Sequence, residues 1–287
     1  MDLFNLKWGY GRCGKTKWGH QMRVFCVGIK FFLTITLFLG ALSPLGAGAA
    51  EKIGVLLLHS KENGNKSIYH LSGEIESAGY LVEMPSSTPW SPNRIYDRTY
   101  LDTLKEMDAA VDKLKSAGAT KVVVGGHSIG ANVALGYGAN RKGIAGLLIL
   151  GAGHFISGNF MGKKLKDDVA KSKSMIAAGK AKEEADFDDI NQRKEISREM
   201  TAEIYQSWFD KAGPANMRTN AANLPGDLPV LWVAGKEDKV ASKVLKRVAY
   251  DKMAGNPMNR FVIISGSHGE TAENAGSIVI DWLKTLE

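Results

Sequence analysis

Six short runs of consecutive apolar residues punctuate the chain, and stretches with helical spacing fill four of the five gaps between them. The runs are KIGVLLLHS (52–60), YLVEMP (80–85), KVVVGG (121–126), GLLIL (146–150), PVLWVAG (229–235) and FVIIS (261–265). They are continuous rather than alternating. A strand that faces water on one side alternates; one covered on both faces does not. After the last run, 275–286 reads as a helix; between the runs, 67–79, 132–139 and 241–253 do as well. So does the segment holding Tyr100, Leu104, Met107, Val111 and Leu114, which Gly118 stops. Strand and helix in alternation predict an α/β protein with a mostly parallel sheet of about six strands, flanked by helices.

The alternation lapses over about 155–226. Leu165, Val169, Ser172 and Ile176 keep helical spacing, as do Ile196, Met200 and Ile204, with the charged KAKEEADFDD (180–189) between them. This predicts a helical cap insertion of two or three helices joined by a solvated connection. Its large apolar residues, Phe155, Phe160, Met161, Met175 and Trp208, are expected mainly to pack the cap onto the body. Lining an apolar acyl pocket is the alternative.

The charge of +7 is uneven. Residues 1–50 hold six of the 37 Lys and Arg but one of the 30 acidic residues, so the remainder is close to neutral. No basic stripe with interleaved aromatics marks a nucleic-acid partner. In the leader, Arg23 and Lys30 precede FFLTITLFLGAL (31–42), then SPLGAGAA with an Ala47-x-Ala49 pattern. Basic, apolar and small-residue regions in that order predict a cleaved signal peptide and a periplasmic or secreted protein. The apolar run is short for a span, which needs about 20 residues. No stable membrane span is therefore expected after cleavage, and the domain is expected to occupy 51–287. Both cysteines, Cys13 and Cys26, fall in the leader, so the mature chain has no disulfide, thiol nucleophile or cysteine metal site.

Gly126-His127-Ser128-Ile129-Gly130 matches G-x-S-x-G, with a strand before it and a helix after it. That context distinguishes a strained turn presenting a serine from a glycine-rich loop. A serine hydroxyl needs a base. His268, in SGSHGE after the last strand, is the best placed; His127 is expected to support, His154 to border the pocket and His70 to lie on a helix. The base needs a carboxylate. Asp238, just past VLWVAG, is preferred to Glu237. The order Ser128, Asp238, His268 is nucleophile, acid, base. The N–H of Ile129 and one from the loop after GVLLL should bind an oxyanion, with Lys61 chosen before Ser60.

These motifs resemble the α/β-hydrolase superfamily over nearly all of 52–287. GHSIG resembles its nucleophile elbow, LLLHS its oxyanion strand, AGKEDKV its acid loop and GSHGE its histidine loop. The body starts at the oxyanion strand, without the first two strands of the full fold. This implies a compact sheet, as in small esterases and dienelactone-hydrolase-like members. The latter use a cysteine; serine favours ester chemistry. Ser60 departs from the glycine common there, and its Cβ bears on the shape of the oxyanion loop. The resemblance implies hydrolysis of a small acyl substrate, with no cofactor and no metal. Thioesterase, peptidase, acyltransferase and non-catalytic binding protein are the alternatives.

Overall fold

In β1 (Ile53–Leu58) every residue is buried, because successive side chains point to opposite faces and both faces are covered. Leu56 and Leu58 join one apolar cluster, and Val55 and Leu57 the other. The computed structural model describes residues 51–287 apart from 62, 158 and 159. The leader reading, with Cys13, Cys26 and Ala47-x-Ala49, lies outside the described residues.

After β1 come α1 (Tyr69–Ser77), β2 (Leu81–Glu83), α2 (Tyr100–Ser116), β3 (Lys121–His127), α3 (Ile129–Asn140) and β4 (Gly146–Leu150). The insertion follows, with α4 (Phe160–Lys164), α5 (Lys166–Ala177), β5 (Glu184–Asn191), β6 (Lys194–Thr201), α6 (Ala202–Phe209) and α7 (Met217–Ala222). The body resumes at β7 (Val230–Gly235), α8 (Lys246–Val248), β8 (Arg260–Ile264) and α9 (Gly276–Lys284). The main sheet has the order β2-β1-β3-β4-β7-β8, every pair parallel. Helices α2 and α3 cover one face with Leu104, Met107, Val111 and Val133, while α1 and α9 cover the other with Leu71, Ile75, Val279 and Trp282. Burying each such side chain contributes roughly 1.5–3 kcal/mol. Local signals agree with the sheet: Thr99 caps α2 by accepting from the Asp102 N–H, and Gly118 takes φ 99° beyond its end.

The insertion is not wholly helical, which corrects the helical cap expectation. β5 and β6 form a separate antiparallel hairpin, with Asn191 opposite Lys194. Ile196 and Met200 therefore lie on a strand, and only Ile204 of that set lies on a helix. The reason is visible in β5: Phe187 and Asp189 alternate into the interior, a period of two hidden among charges. The two turn residues, Gln192 and Arg193, have φ 47° and 69°. Such a turn normally announces itself with Asn-Gly or Asp-Gly, and this one does not. The expected helix at 241–253 is also broken, into a π-helical turn over Val240–Leu245, then α8 and a 3-10 turn at Tyr250–Lys252.

The cap is held to the body by aromatic packing. Trp208 is fully buried, meets Tyr100 edge-on at 4.9 Å, and donates from Nε1 to the Arg98 carbonyl at 2.8 Å. Phe209 also meets Tyr96 of the body edge-on at 5.2 Å, and within the cap Phe187, Tyr205 and Phe209 stack in series at 4.4 and 4.5 Å.

Candidate active site

The chain runs from β1 outward to β2 and then returns to β3 on the other side of β1. The carboxyl ends of β1 and β3 therefore diverge into the crevice where open α/β sheets bind ligands. Lys61 follows one of these strands and Ser128 the other. Both line a cavity of about 420 Å³.

Ser128 sits at φ 59°, ψ −116°, between β3 and α3. A non-glycine residue holds such a conformation only where its surroundings enforce it. The flanking glycines let the turn close. A Cβ on Gly126 would stand 2.5 Å from the Gly130 carbonyl carbon, and one on Gly130 would run into the Leu58 carbonyl oxygen. The Ser128 N–H donates to the Leu150 carbonyl at 3.1 Å, which ties the turn to the end of β4.

His268 reaches this serine from the loop between β8 and α9. Its Nε2 lies 2.9 Å from Ser128 Oγ, and its Nδ1 lies 2.6 Å from Asp238 Oδ2. Asp238 Oδ1 accepts from the N–H groups of Val240 and Ala241 at 3.1 and 3.0 Å. Burial pushes the Asp238 carboxyl up, but the His268 hydrogen bond and these main-chain bonds outweigh it. The carboxyl rests below its usual 3.8 and is ionised at neutral pH. Glu237, the alternative, is exposed at the surface. The sequence-predicted residues from three loops thus form one hydrogen-bonded chain: hydroxyl, imidazole, carboxylate. Such a chain can take the serine proton as the oxygen attacks an electrophile.

The Ser60 N–H is committed to Ser67 Oγ at 3.0 Å. The N–H groups of Ile129 and Lys61 have no hydrogen-bond acceptor among the described residues, and both residues line the cavity. Behind the loop, Trp90 Nε1 donates to the His59 carbonyl at 2.9 Å, and the buried His59 ring contacts Thr88 and Ser91. Trp90, in the Pro-rich loop after β2, is a brace that sequence reasoning missed.

The other histidines separate by environment. Burial, then the nearby His268, lowers His127 to about 4; its Nε2 donates to the His268 carbonyl at 2.8 Å. His154 is also lowered to about 4, first by burial and then by Lys61, and donates from Nε2 to the Trp208 carbonyl. It lines the cavity. His70 is exposed on α1.

Phe155, Phe160, Met161 and Ile190 supply apolar wall, while Trp208 packs within the core and the half-buried Met175 against it. The hairpin tip, Asn191, Gln192 and Arg193, closes the cavity on the cap side. The Lys61 side chain was not foreseen: it is buried and bonded to Asp189 on β5. Burial pulls its pKa down, and the adjacent carboxylate opposes that pull. Among the described residues, no group of three His, Cys, Asp or Glu side chains is placed to hold a metal, and no helix is long and apolar enough to cross a membrane.

The parallel sheet, the serine turn after β3 and the acid and histidine after β7 and β8 define the α/β-hydrolase superfamily. Residues 87–274 match the model of the hydrolase family described as serine aminopeptidase S33, and the chain belongs to that family. Its fold is shared with solved structures of low sequence identity. A structure described under the metagenome-derived lipolytic enzymes LipS and LipT matches with a TM-score of 0.57 at 18% identity, over 82% of this chain and 94% of that one. Monoacylglycerol lipase of Paleococcus ferrophilus matches with a TM-score of 0.60 at 17% identity, over 82% and 95%. Est1E of Butyrivibrio proteoclasticus, bound to ferulic acid, matches with 0.58 at 14% identity, over 83% and 91%. No curated protein matches the sequence.

Proposed function

We propose that this protein is a serine hydrolase that cleaves a carboxylic ester, or a related acyl bond, through Ser128, His268 and Asp238. The observation that carries the reading is the bridging imidazole, 2.9 Å from the serine oxygen and 2.6 Å from the carboxylate. Ser128 Oγ attacks the acyl carbonyl while His268 Nε2 takes its proton. Asp238 holds the other ring nitrogen protonated and stabilises the imidazolium. The N–H groups of Ile129 and Lys61 receive the oxyanion. His268 then protonates the leaving group, and water releases the acid through the same base. No cofactor or metal takes part in this sequence.

The apolar wall of Phe155, Phe160, Met161 and Ile190 favours a small acyl substrate with a hydrocarbon portion. Likeness to lipolytic and esterase structures agrees with this. The family description makes a peptidase the second reading. An aminopeptidase must hold a free ammonium group, yet the sole carboxylate lining the cavity among the described residues is Asp238, already bonded to His268. We therefore rank ester cleavage first. With the leader removed near Ala49, the enzyme would work in the periplasm or outside the cell; amino-terminal sequencing of the exported protein checks this.

The mature protein should label with a fluorophosphonate probe, and Ser128→Ala should abolish labelling. A series of p-nitrophenyl esters of rising acyl length should be hydrolysed, with Ser128→Ala inactive. No labelling and no ester turnover would favour a non-catalytic binding protein. Turnover of aminoacyl amides in place of esters would favour the peptidase.

A further inference from the structure

One buried charge pair joins two elements whose residues line the cavity. Lys61 belongs to the loop after β1, and Asp189 to the cap hairpin. Lys61 Nζ donates to both carboxylate oxygens, at 2.7 and 2.9 Å, and to the Ile190 carbonyl at 3.3 Å. Asp189 Oδ1 also accepts from the Ile190 N–H at 2.7 Å. Asp189 is 0% exposed and Lys61 8%. The rings of Tyr96 and Phe209 flank the ammonium, with centroids 5.5 and 6.0 Å away.

A buried ion pair is a poor device for stability, because desolvation offsets most of the Coulomb attraction. Apolar residues of similar volume would hold the cap at least as well. The connections of the pair indicate a different use. Its lysine end is a cavity-lining residue whose main-chain N–H has no acceptor among the described residues, beside Ser60, whose N–H is already committed. Its aspartate end adjoins Ile190, Asn191, Gln192 and Arg193, which also line the cavity. An ammonium held by three acceptors cannot rotate freely, so the main chain that bears it is constrained too.

We propose that Asp189 is a positioning residue: by gripping the Lys61 side chain from the cap, it holds the Lys61 N–H in place as an oxyanion donor. The cap hairpin thereby takes part in transition-state stabilisation without touching the substrate through this residue. The inference rests on the ester-hydrolase reading above. A donor displaced by about 1 Å costs on the order of 100-fold in rate, and loss of a donor costs about 100- to 1,000-fold.

The test uses the full chain, p-nitrophenyl butyrate kinetics and urea unfolding. Asp189→Asn should lower kcat by about 10- to 100-fold, with KM changed less than about threefold. Because Asp189→Asn leaves an unmatched buried lysine, a second variant separates fold from positioning. Lys61→Met with Asp189→Leu should unfold at a urea concentration equal to or above that of the wild type, yet keep the low kcat. A stable double variant with wild-type kcat would overturn the proposal, since the pair would then only join cap to body. A folded Asp189→Asn variant with wild-type kcat would overturn it as well. A wild-type protein that neither labels with fluorophosphonate nor turns over ester would remove the hydrolase reading and this inference together. That outcome is distinct from an active wild type with an active double variant.

Discussion

His127 donates its Nε2–H to the main-chain carbonyl of His268 at 2.8 Å, so the neighbour of Ser128 anchors the loop that brings the imidazole to Ser128. His127 is 2% exposed, and its neutral ring is a structural donor. Replacing it by alanine leaves the carbonyl without this partner and opens space beside the loop. His127→Ala should lose about 1–3 kcal/mol of stability, the usual cost of an unsatisfied buried group. It should also lose about tenfold in kcat/KM for a p-nitrophenyl ester as the base drifts from the serine. Chemical unfolding and steady-state kinetics on the same preparation check both.

Asp238→Asn should be far more damaging than its size implies. Oδ1 is held by the N–H groups of Val240 and Ala241. The asparagine oxygen must therefore stay there, which turns its NH₂ group toward His268 Nδ1. The ring then carries its proton on Nε2 and cannot accept one from Ser128. A wrong tautomer of this kind costs about 10⁴-fold in kcat. The variant should fold with near-wild-type stability, and single-turnover kinetics should place the loss in acylation.

Gly153 supplies the room in which the nucleophile stands. A Cβ there would lie 2.6 Å from Ser128 Oγ and 3.2 Å from the Ser128 carbonyl carbon. Gly153→Ala should rotate the hydroxyl away from His268 and reduce fluorophosphonate labelling by about 100-fold or more. Its circular dichroism spectrum should remain that of the wild type.

Acid should destabilise the fold in a defined window. His127 and His154 are both lowered from 6.5 to about 4 by burial, then by His268 and Lys61 respectively. Both are neutral in the fold, whereas the unfolded chain takes up their protons as pH falls below 6.5. Stability should therefore be fully present above pH 6.5 and decline as pH falls toward 4, by about 3 kcal/mol for each group. Urea unfolding at pH 7.5 and 4.5 measures the loss. In His154→Gln the loss should be smaller than in the wild type by about 2 kcal/mol.

Much of this site is legible in the chain because its parts lie at strand ends. A continuous apolar run marks a buried strand. The residue just past it is delivered to the carboxyl edge of the sheet, whatever the rest of the fold does. Ser128, Asp238 and His268 each follow such a run within a few residues. The same logic pointed to Lys61 and Ile129 for their main chain. The Lys61 side chain gave no sign of its partner, because 128 positions separate it from Asp189. Asp189 itself lay in a charged stretch that reads as solvated surface. Its partner is Lys61, whose ammonium is flanked by the rings of Tyr96 and Phe209, and these contacts join segments far apart in sequence.

The local code of this protein thus specifies a parallel sheet and a serine turn, because hydrophobic period and the steric demands of glycine act over a few residues. The cap is a different case. Helical spacing across Ile196, Met200 and Ile204 agreed with a helix, yet two of the three stand on β6, paired across a turn that carries no glycine. Hairpin pairing and packing against the α6 aromatics overrode that spacing. The long-range contacts that also bury Asp189 beside Lys61 exist only once the chain has folded, and they set the wall that faces Ser128.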